Sequence, residues 1–143
     1  MIYSTGCRYA IRAMTRIAQL TPQGGFCLLK QIVEEDSLPG HYVGKLLQEL
    51  VKAEILISAK GRNGGFALRN PPSSVTLRQI VEAIDGPDYL SQCVLGFEGC
   101  DDEQHCPHHD VWKPLRKQVI DLMDSTSLAD LVESLNKKQR RRR

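Results

Sequence analysis

The fold is decided by residues 55–69, which read Ile-Leu-Ile-Ser-Ala-Lys-Gly-Arg-Asn-Gly-Gly-Phe-Ala-Leu-Arg. Two β-prone runs, 55–60 and 66–69, flank a glycine-rich centre. Asn63-Gly64 between such runs predicts a β-hairpin, because both residues tolerate a positive φ. An amphipathic segment directly precedes this hairpin. A hairpin in that place is expected to form a wing beside a helix.

Hydrophobic periodicity predicts helices on both sides of the wing. They are expected over 3–20, 28–35 and about 41–53 before it, and over 76–85 after it. The polar turn at 36–40 joins the second and third segments, which makes them a helix-turn-helix candidate. The buried side of the third helix is expected to comprise Tyr42, Val43, Leu46, Leu47, Leu50 and Val51. We therefore predict a mainly α fold with a small β-hairpin, a winged helix-turn-helix.

A longer helix is expected from about residue 108. Pro114 lies early in it and favours a first turn that starts only near Val111. The apolar residues of this helix recur three and four apart, a spacing that suits a partner helix. We predict that it is a dimerisation helix whose interface comprises Trp112, Leu115, Val119 and Leu122.

The chain divides into four predicted parts. They are a winged helix-turn-helix domain over 1–87, a cysteine-rich loop over 88–107, the dimerisation helix with a short helix at 127–135 over 108–136, and a basic tail over 137–143. The tail carries six positive charges, which leaves 13 basic and 17 acidic side chains in the rest of the chain. A mildly acidic body is thus joined to a strongly basic end, whose role is either phosphate contact or solvation.

The composition is that of an ordinary globular domain. The chain has 143 residues, of which 41% are hydrophobic and 25% charged, so disorder is not indicated. No apolar run approaches the roughly 18 residues of a membrane span. The opening residues lack the basic and apolar regions of a signal peptide. We therefore expect a cytoplasmic protein without a membrane partner.

The third helix and the wing carry the side chains expected to contact DNA. Short or polar groups on the outer side of a recognition helix can reach base edges or phosphates, and an arginine at a wing tip can enter a minor groove or clamp a phosphate. Exposed polar residues often only solvate a helix, but the order of helix, turn, helix and hairpin favours binding to a double-stranded operator. The predicted contacts are His41, Gly44, Lys45, Gln48, Lys52, Lys60, Arg62 and Asn63.

Three of the five cysteines lie together in the chain, at Cys93, Cys100 and Cys106. Thiolates suit iron–sulfur clusters and zinc, and the gaps of six and five residues exceed the two to four residues of many zinc knuckles. His109 lies about one helical turn after Cys106 and is a candidate fourth ligand; His105, His108 or a residue of a second chain are alternatives. Unliganded, merely reactive thiols are the other interpretation.

The remaining sequence features favour no further chemistry. Cys7 and Cys27 lie among apolar residues, so we expect both in the core. The glycines at 61–65 fit a hairpin better than a phosphate-binding loop. The acids near the cysteines, such as Glu98 and Asp102, fit a solvated rim. We expect no enzyme.

Several stretches together resemble the Rrf-type family of iron–sulfur transcription regulators, with its IscR-like and NsrR-like members. They are residues 6–11, the helix at 46–50, the wing at 60–68 and the three-cysteine loop. Residues 106–112 are similar to the family's Cys-x-x-His-x-x-Trp pattern. The resemblance covers nearly the whole chain.

This resemblance implies a homodimer that reads a two-fold-related operator. It also implies a cluster on Cys93, Cys100 and Cys106. The fourth ligand is an acid of the first helix in NsrR-like members, but that region here holds Cys7 and Arg8, so the resemblance favours His109 and a [2Fe–2S] cluster. The expected function is a repressor that senses iron–sulfur status, redox state or nitric oxide. The alternative is a zinc-bound or cluster-free thiol sensor.

Overall fold

The computed structural model describes residues 2–143 as six α-helices and one antiparallel hairpin. The hairpin lies between the third and fourth helices, so the predicted mainly α fold with a small wing is confirmed. Short 3-10 turns lie at Pro72–Ser74 and Tyr89–Ser91. The elements are α1 (Thr5–Leu20), α2 (Leu29–Glu34), α3 (Gly40–Lys52), β1 (Leu56–Ala59), β2 (Gly65–Leu68), α4 (Leu77–Asp85), α5 (His109–Ser125) and α6 (Leu128–Arg141).

Helix α1 is the central element, and its start is fixed by a capping serine. The Ser4 hydroxyl accepts the backbone N–H of Cys7 at 3.0 Å and donates to the carboxylate of Asp85 at 2.7 Å. The first bond satisfies one of the free N–H groups of the helix, and the second ties α1 to the end of α4. Helices α2, α3, α4 and α6 and strand β2 pack against α1, and α5 packs against α4. The fully buried core side chains include Met14, Ile17, Leu47, Leu50, Leu56, Ile80 and Leu128.

The wing differs from the prediction in its turn. Leu56 pairs with Leu68 and Ala59 with Gly65, which leaves a five-residue loop between the strands. Positive φ angles occur at Gly61 and Gly65, whereas the non-glycine residues with positive φ within 2–143 are Ser37 and Glu54. The prediction that Asn63-Gly64 forms a positive-φ turn is therefore wrong, because the longer loop lets the glycines at its two ends reverse the chain.

An isolated β-bridge joins the segment before α2 to the wing. The N–H of Cys27 donates to the carbonyl of Phe66 at 3.0 Å, and the N–H of Phe66 donates back at 2.9 Å. A Cβ at Gly65 would overlap the carbonyl oxygen of Cys27, so only glycine allows these backbones to approach. Cys27 is buried here and Cys7 lies at 0% exposure in α1, so both are core residues as predicted.

Three other details differ from the prediction. Tyr42 is 42% exposed, because it lies at the rim with its ring edge-on to Tyr9. Helix α5 begins at His109 and not near Val111. Pro114 has no N–H to donate, so the carbonyl four residues before it lacks a helical partner, but this carbonyl lies in the exposed first turn, where the loss is tolerated. Helix α6 continues to Arg141, well beyond 135, because lysine and arginine favour the carboxyl end of a helix.

A second, smaller core joins the winged unit to α5. Its buried members are Cys7 of α1, Leu77 and Val81 of α4 and Met123 of α5. Tyr89 and Leu90, at the start of the cysteine loop, pack against this junction core. A displacement of the loop can therefore reach α1, α4 and α5 together. Within residues 2–143, no helix has both the length and the apolar character needed to span a membrane.

Candidate metal centre and nucleic-acid interface

The three cysteines of the loop converge in space. Their Sγ atoms all lie within 4.8 Å of one another, and those of Cys93 and Cys106 are 3.5 Å apart. Gly96 and Gly99 have positive φ angles between Cys93 and Cys100, which allows the chain to curl back. The loop thus brings together side chains that are up to 13 residues apart.

A local turn positions the second half of the loop. The Asp101 carboxylate accepts the backbone N–H groups of Glu103 at 2.8 Å and Gln104 at 2.7 Å. These two bonds, that of Gln104 first, lower the pKa of Asp101. The N–H of Cys106 lies 3.4 Å from the sulfur of Cys100, so the turn also directs this donor at a thiol.

His109 is the histidine that the fold brings to the thiols. It is the first residue of α5 and only 5% exposed, and its Nδ1 lies 3.4 Å from the Sγ of Cys100. His105 stacks on it with ring centroids 5.3 Å apart, but its own side chain is exposed. His108 is exposed as well, at the position before the helix. Of the three candidates, His109 is therefore the one that is buried beside a loop thiol.

Two charged residues that sequence reasoning did not single out as site residues lie behind His109. Asp102 is 2.9 Å from its Nε2, and the ammonium of Lys113 is 2.7 Å from both Asp102 oxygens. The hydrogen bond from Lys113, then that from His109, lowers the pKa of Asp102 to about 2. From the sequence, Asp102 is predicted to be a solvated acid at the rim of the loop. The signal in the sequence is the spacing of His109 and Lys113, which lie one helical turn apart and can therefore contact the same acidic side chain.

The pKa of Cys93 in the loop is shifted in the opposite direction from those of the two core cysteines. Desolvation opposes ionisation of Cys93, but hydrogen bonds from the backbone of Phe97 and Leu95 lower its pKa to about 7. Burial raises the pKa of Cys7 to about 12 and that of Cys27 to about 11. A hydrogen bond from the backbone of Cys106 lowers the pKa of Cys100, but desolvation and the neighbouring thiols of Cys106 and Cys93 raise it, and the net shift is upward. Metals bind the thiolate form, so the low pKa of Cys93 favours ligation at that thiol, and burial opposes ligation at the two core cysteines.

The donor set fits a thiophilic metal group. Three thiols and one imidazole are the ligands of zinc and of iron–sulfur clusters. Sulfur atoms around a single tetrahedral zinc would be about 3.8 Å apart, since Zn–S bonds are about 2.3 Å long. The Cys93–Cys106 distance of 3.5 Å is close to this value. The loop backbone lies at the surface, where it can open around a larger cluster.

The predicted DNA contacts lie on the outer side of α3 and on the wing. The α3 side chains His41, Lys45, Gln48 and Lys52 are exposed, and the wing residues Lys60, Arg62 and Asn63 are exposed as well. Gly44 is half-buried, and a Cβ there would lie 3.2 Å from the side chain of Leu29. Gly44 therefore permits close packing of α2 on α3. Lys52 is paired with Glu49 at 2.8 Å.

The apolar stripe of α5 is exposed along part of its length. Leu115 and Leu122 are exposed, with Leu122 at 58%, and Val111 continues the same row one turn earlier. Trp112 and Val119 are half-buried, and Val119 packs against the junction core. Leucines exposed on one side of a 17-residue helix form a surface that another helix can cover.

Comparison with known proteins extends these observations. Residues 3–134 match the family model Rrf2, described as iron-dependent transcriptional regulator. The chain is 30% identical to the HTH-type transcriptional regulator IscR of Aliivibrio salmonicida, over 87% of this chain and 73% of that protein. Its fold resembles CymR, the global cysteine regulator of B. subtilis, with a TM-score of 0.75, 28% identity and coverage of 92% and 95% of the two chains. Its fold also resembles that of T. potens IscR, with a TM-score of 0.73, 26% identity and coverage of 95% of this chain and 89% of that chain.

Proposed function

Because the chain belongs to the Rrf2 family of transcriptional regulators, we propose that it is a repressor whose affinity for a DNA operator depends on a bound iron–sulfur cluster. The proposed ligands are Cys93, Cys100, Cys106 and His109. The observation that supports this most is the convergence of the three Sγ atoms within 4.8 Å beside the buried ring of His109. The family description as iron-dependent favours iron over other thiophilic metals.

We propose a [2Fe–2S] cluster, for which three cysteines and one histidine provide the four protein ligands. Mixed cysteine and histidine ligation is known for this cluster type. When bound, such a cluster supplies a group that oxidants and changes in iron supply can alter. The occupancy of the cluster site is then the signal that must reach the DNA-binding unit.

The path of transmission starts at Cys93. This residue follows the turn at Tyr89–Ser91, and Tyr89 and Leu90 pack on the junction core together with Val81 and Met123. When Cys93 is held as a ligand, residues 88–109 are fixed at both ends. The position of α5 relative to the winged unit is fixed with them. Release of the ligands loosens that connection and changes the affinity for DNA.

The DNA-binding unit is proposed to act as a dimer. Leu115 and Leu122 of α5 would pack against the same residues of a second copy, so that two winged units face one operator. A two-fold dimer reads half-sites about 34–36 Å apart, one turn of the double helix. In each copy α3 would enter the major groove through Lys45 and Gln48, while Arg62 would contact a phosphate or the minor groove.

A zinc-bound or metal-free thiol sensor is the second candidate function. It is favoured by the distance of 3.5 Å between the sulfur atoms of Cys93 and Cys106, which is close to that around a single tetrahedral ion. It is also favoured by the low pKa of Cys93, since thiolates are the form that oxidants attack. The DNA-binding part of the proposal is the same in both cases.

Metal analysis of protein purified without oxygen distinguishes these functions. We expect a red-brown protein with visible absorption and equal amounts of iron and sulfide, about two of each per chain for a [2Fe–2S] cluster. A colourless protein with one zinc per chain would replace the cluster by a zinc site. A colourless protein that takes up neither metal under reducing conditions would exclude both metal centres and leave a thiol sensor.

The wing is expected to contribute to binding through phosphate contact. We predict that Arg62→Ala weakens binding to random-sequence duplex DNA and lowers the slope of log affinity against log salt by about 1, because one counterion fewer is released. Fluorescence anisotropy at several salt concentrations measures both. Lys117→Ala, which removes an exposed cation of α5, is the matched control and should leave the slope unchanged. Equal slopes for the Arg62 variant and the control would show that Arg62 makes no phosphate contact.

A further inference from the structure

A hydrogen-bonded chain of three residues lies behind the thiols. Nδ1 of His109 faces Cys100, its Nε2 faces Asp102, and Asp102 is held by Lys113 at 2.7 Å. The ring of His109 is buried, whereas Asp102 and Lys113 are exposed. The ring therefore has a different partner on each nitrogen, one in the site and one at the surface.

These partners determine which nitrogen can bind a metal. A carboxylate only accepts hydrogen bonds, so the Nε2 of His109 must carry the proton that it shares with Asp102. In a neutral imidazole the other nitrogen then has the free lone pair. That nitrogen is Nδ1, which lies 3.4 Å from the sulfur of Cys100. A neutral ring held in this way presents a lone pair, and not an N–H, to the thiol side.

Asp102 is itself held from two directions. The preceding residue, Asp101, closes the turn over 101–104 with two backbone hydrogen bonds, which fixes the backbone next to Asp102. Lys113 approaches from α5, four residues after His109 and on the same side of the helix. The loop and the helix therefore meet at this carboxylate.

We propose that Asp102 is a positioning residue that fixes the tautomer and orientation of His109, so that Nδ1 is the ligand atom of the metal centre. This inference rests on the proposed function, because it assigns a role to one residue of the proposed centre. Carboxylates that accept the outer N–H of a ligating histidine orient the ring and strengthen it as a ligand. Lys113 anchors Asp102 through its contact with both oxygens.

The test compares Asp102→Ala with Glu98→Ala in the full-length, metal-loaded protein. Both substitutions remove one exposed acid of the same loop, but only the first removes the partner of His109. We expect Asp102→Ala to release its metal to an excess of chelator about tenfold faster or more, and Glu98→Ala to release it at the wild-type rate. Circular dichroism of both variants checks that the fold is retained.

A second readout reports the ligand atom directly. Wild-type protein is labelled with ¹⁵N only at Nδ1 of histidine, and its cluster is reduced. Pulsed EPR should then show a strong hyperfine coupling between the ¹⁵N nucleus and the electron spin of the cluster. The coupling should weaken in Asp102→Ala, where either ring nitrogen can bind. A merely structural role of Asp102 would leave this coupling unchanged.

The outcomes separate this inference from the proposed function. Wild-type protein that binds no metal would overturn both. Bound zinc would overturn only the proposal that the site holds an iron–sulfur cluster. The release rates of zinc from the two variants would then test the role of Asp102. A metal-loaded wild type with equal release rates for the two variants, or with the strong coupling at Nε2, would overturn the positioning role and leave the proposed function standing.

Discussion

Substitution of Cys106 by alanine is expected to abolish the visible absorption and to reduce bound iron to background. Cys106 is the most buried of the three loop thiols, and its sulfur lies 3.5 Å from that of Cys93. Without it, two thiols and one imidazole remain, which is too few for a four-ligand cluster. If occupancy controls DNA binding, operator affinity should fall by about 5- to 150-fold, the usual range of coupling between two sites.

The control for this experiment is Cys27→Ala. Cys27 is 3% exposed and lies beside the wing, far from the loop in sequence and in a different core cluster from the junction. The same chemical change at this position should leave iron, sulfide and the spectrum at wild-type values. Iron at the wild-type level in Cys106→Ala, or loss of iron in Cys27→Ala, would show that the ligands have been assigned wrongly.

Substitution of Gly65 by alanine is expected to destabilise the folded protein strongly and to disrupt the wing. The φ of +108° disfavours any side chain, at a cost of roughly 1–3 kcal/mol. The added Cβ would also overlap the carbonyl of Cys27, and forcing atoms into a packed site costs about 1–3 kcal/mol more. These costs are large against a total stability of about 5–15 kcal/mol. Thermal unfolding should show a Tm lower by roughly 10 °C or more.

Gly61→Ala separates the two contributions. Gly61 also has a positive φ, of +97°, but a Cβ there would have nothing within 4 Å. It should therefore show the backbone cost alone and a smaller fall in Tm. Equal losses of stability at the two positions would mean that the close approach of Cys27 and β2 is not required.

Local sequence patterns predicted most of the fold because they depend on residues that are near each other in the chain. The apolar spacing of α1, α3 and α4 predicted helices within a few residues of their observed bounds. Asn63-Gly64 between two β-prone runs predicted the hairpin, although the turn itself has a different geometry. The three-cysteine loop was recognised as a candidate metal site from its residue types and their closeness in the chain, because few functions other than metal ligation require three neighbouring thiols.

The features that were missed depend on contacts between distant segments. The pairing of Cys27 with Phe66 joins residues 39 positions apart, and neither has a local signal for it. The role of Asp102 depends on how the loop folds against α5, so an acid next to two other acids could not be distinguished from them. The continuation of α6 into the basic segment is a different case, because it is local: a run of positive charges suggests a solvated tail, yet lysine and arginine also have high helix propensity.

The central claim is that occupancy of the Cys93, Cys100, Cys106 and His109 site controls DNA binding. Its most direct test is the affinity of one wild-type preparation for an operator selected from random duplex DNA, measured without oxygen before and after removal of the metal by a chelator. We predict that the loaded protein binds the operator about 5- to 150-fold more tightly than the stripped protein, and that reconstitution restores the affinity. Equal affinities of the loaded and stripped proteins would contradict the claim.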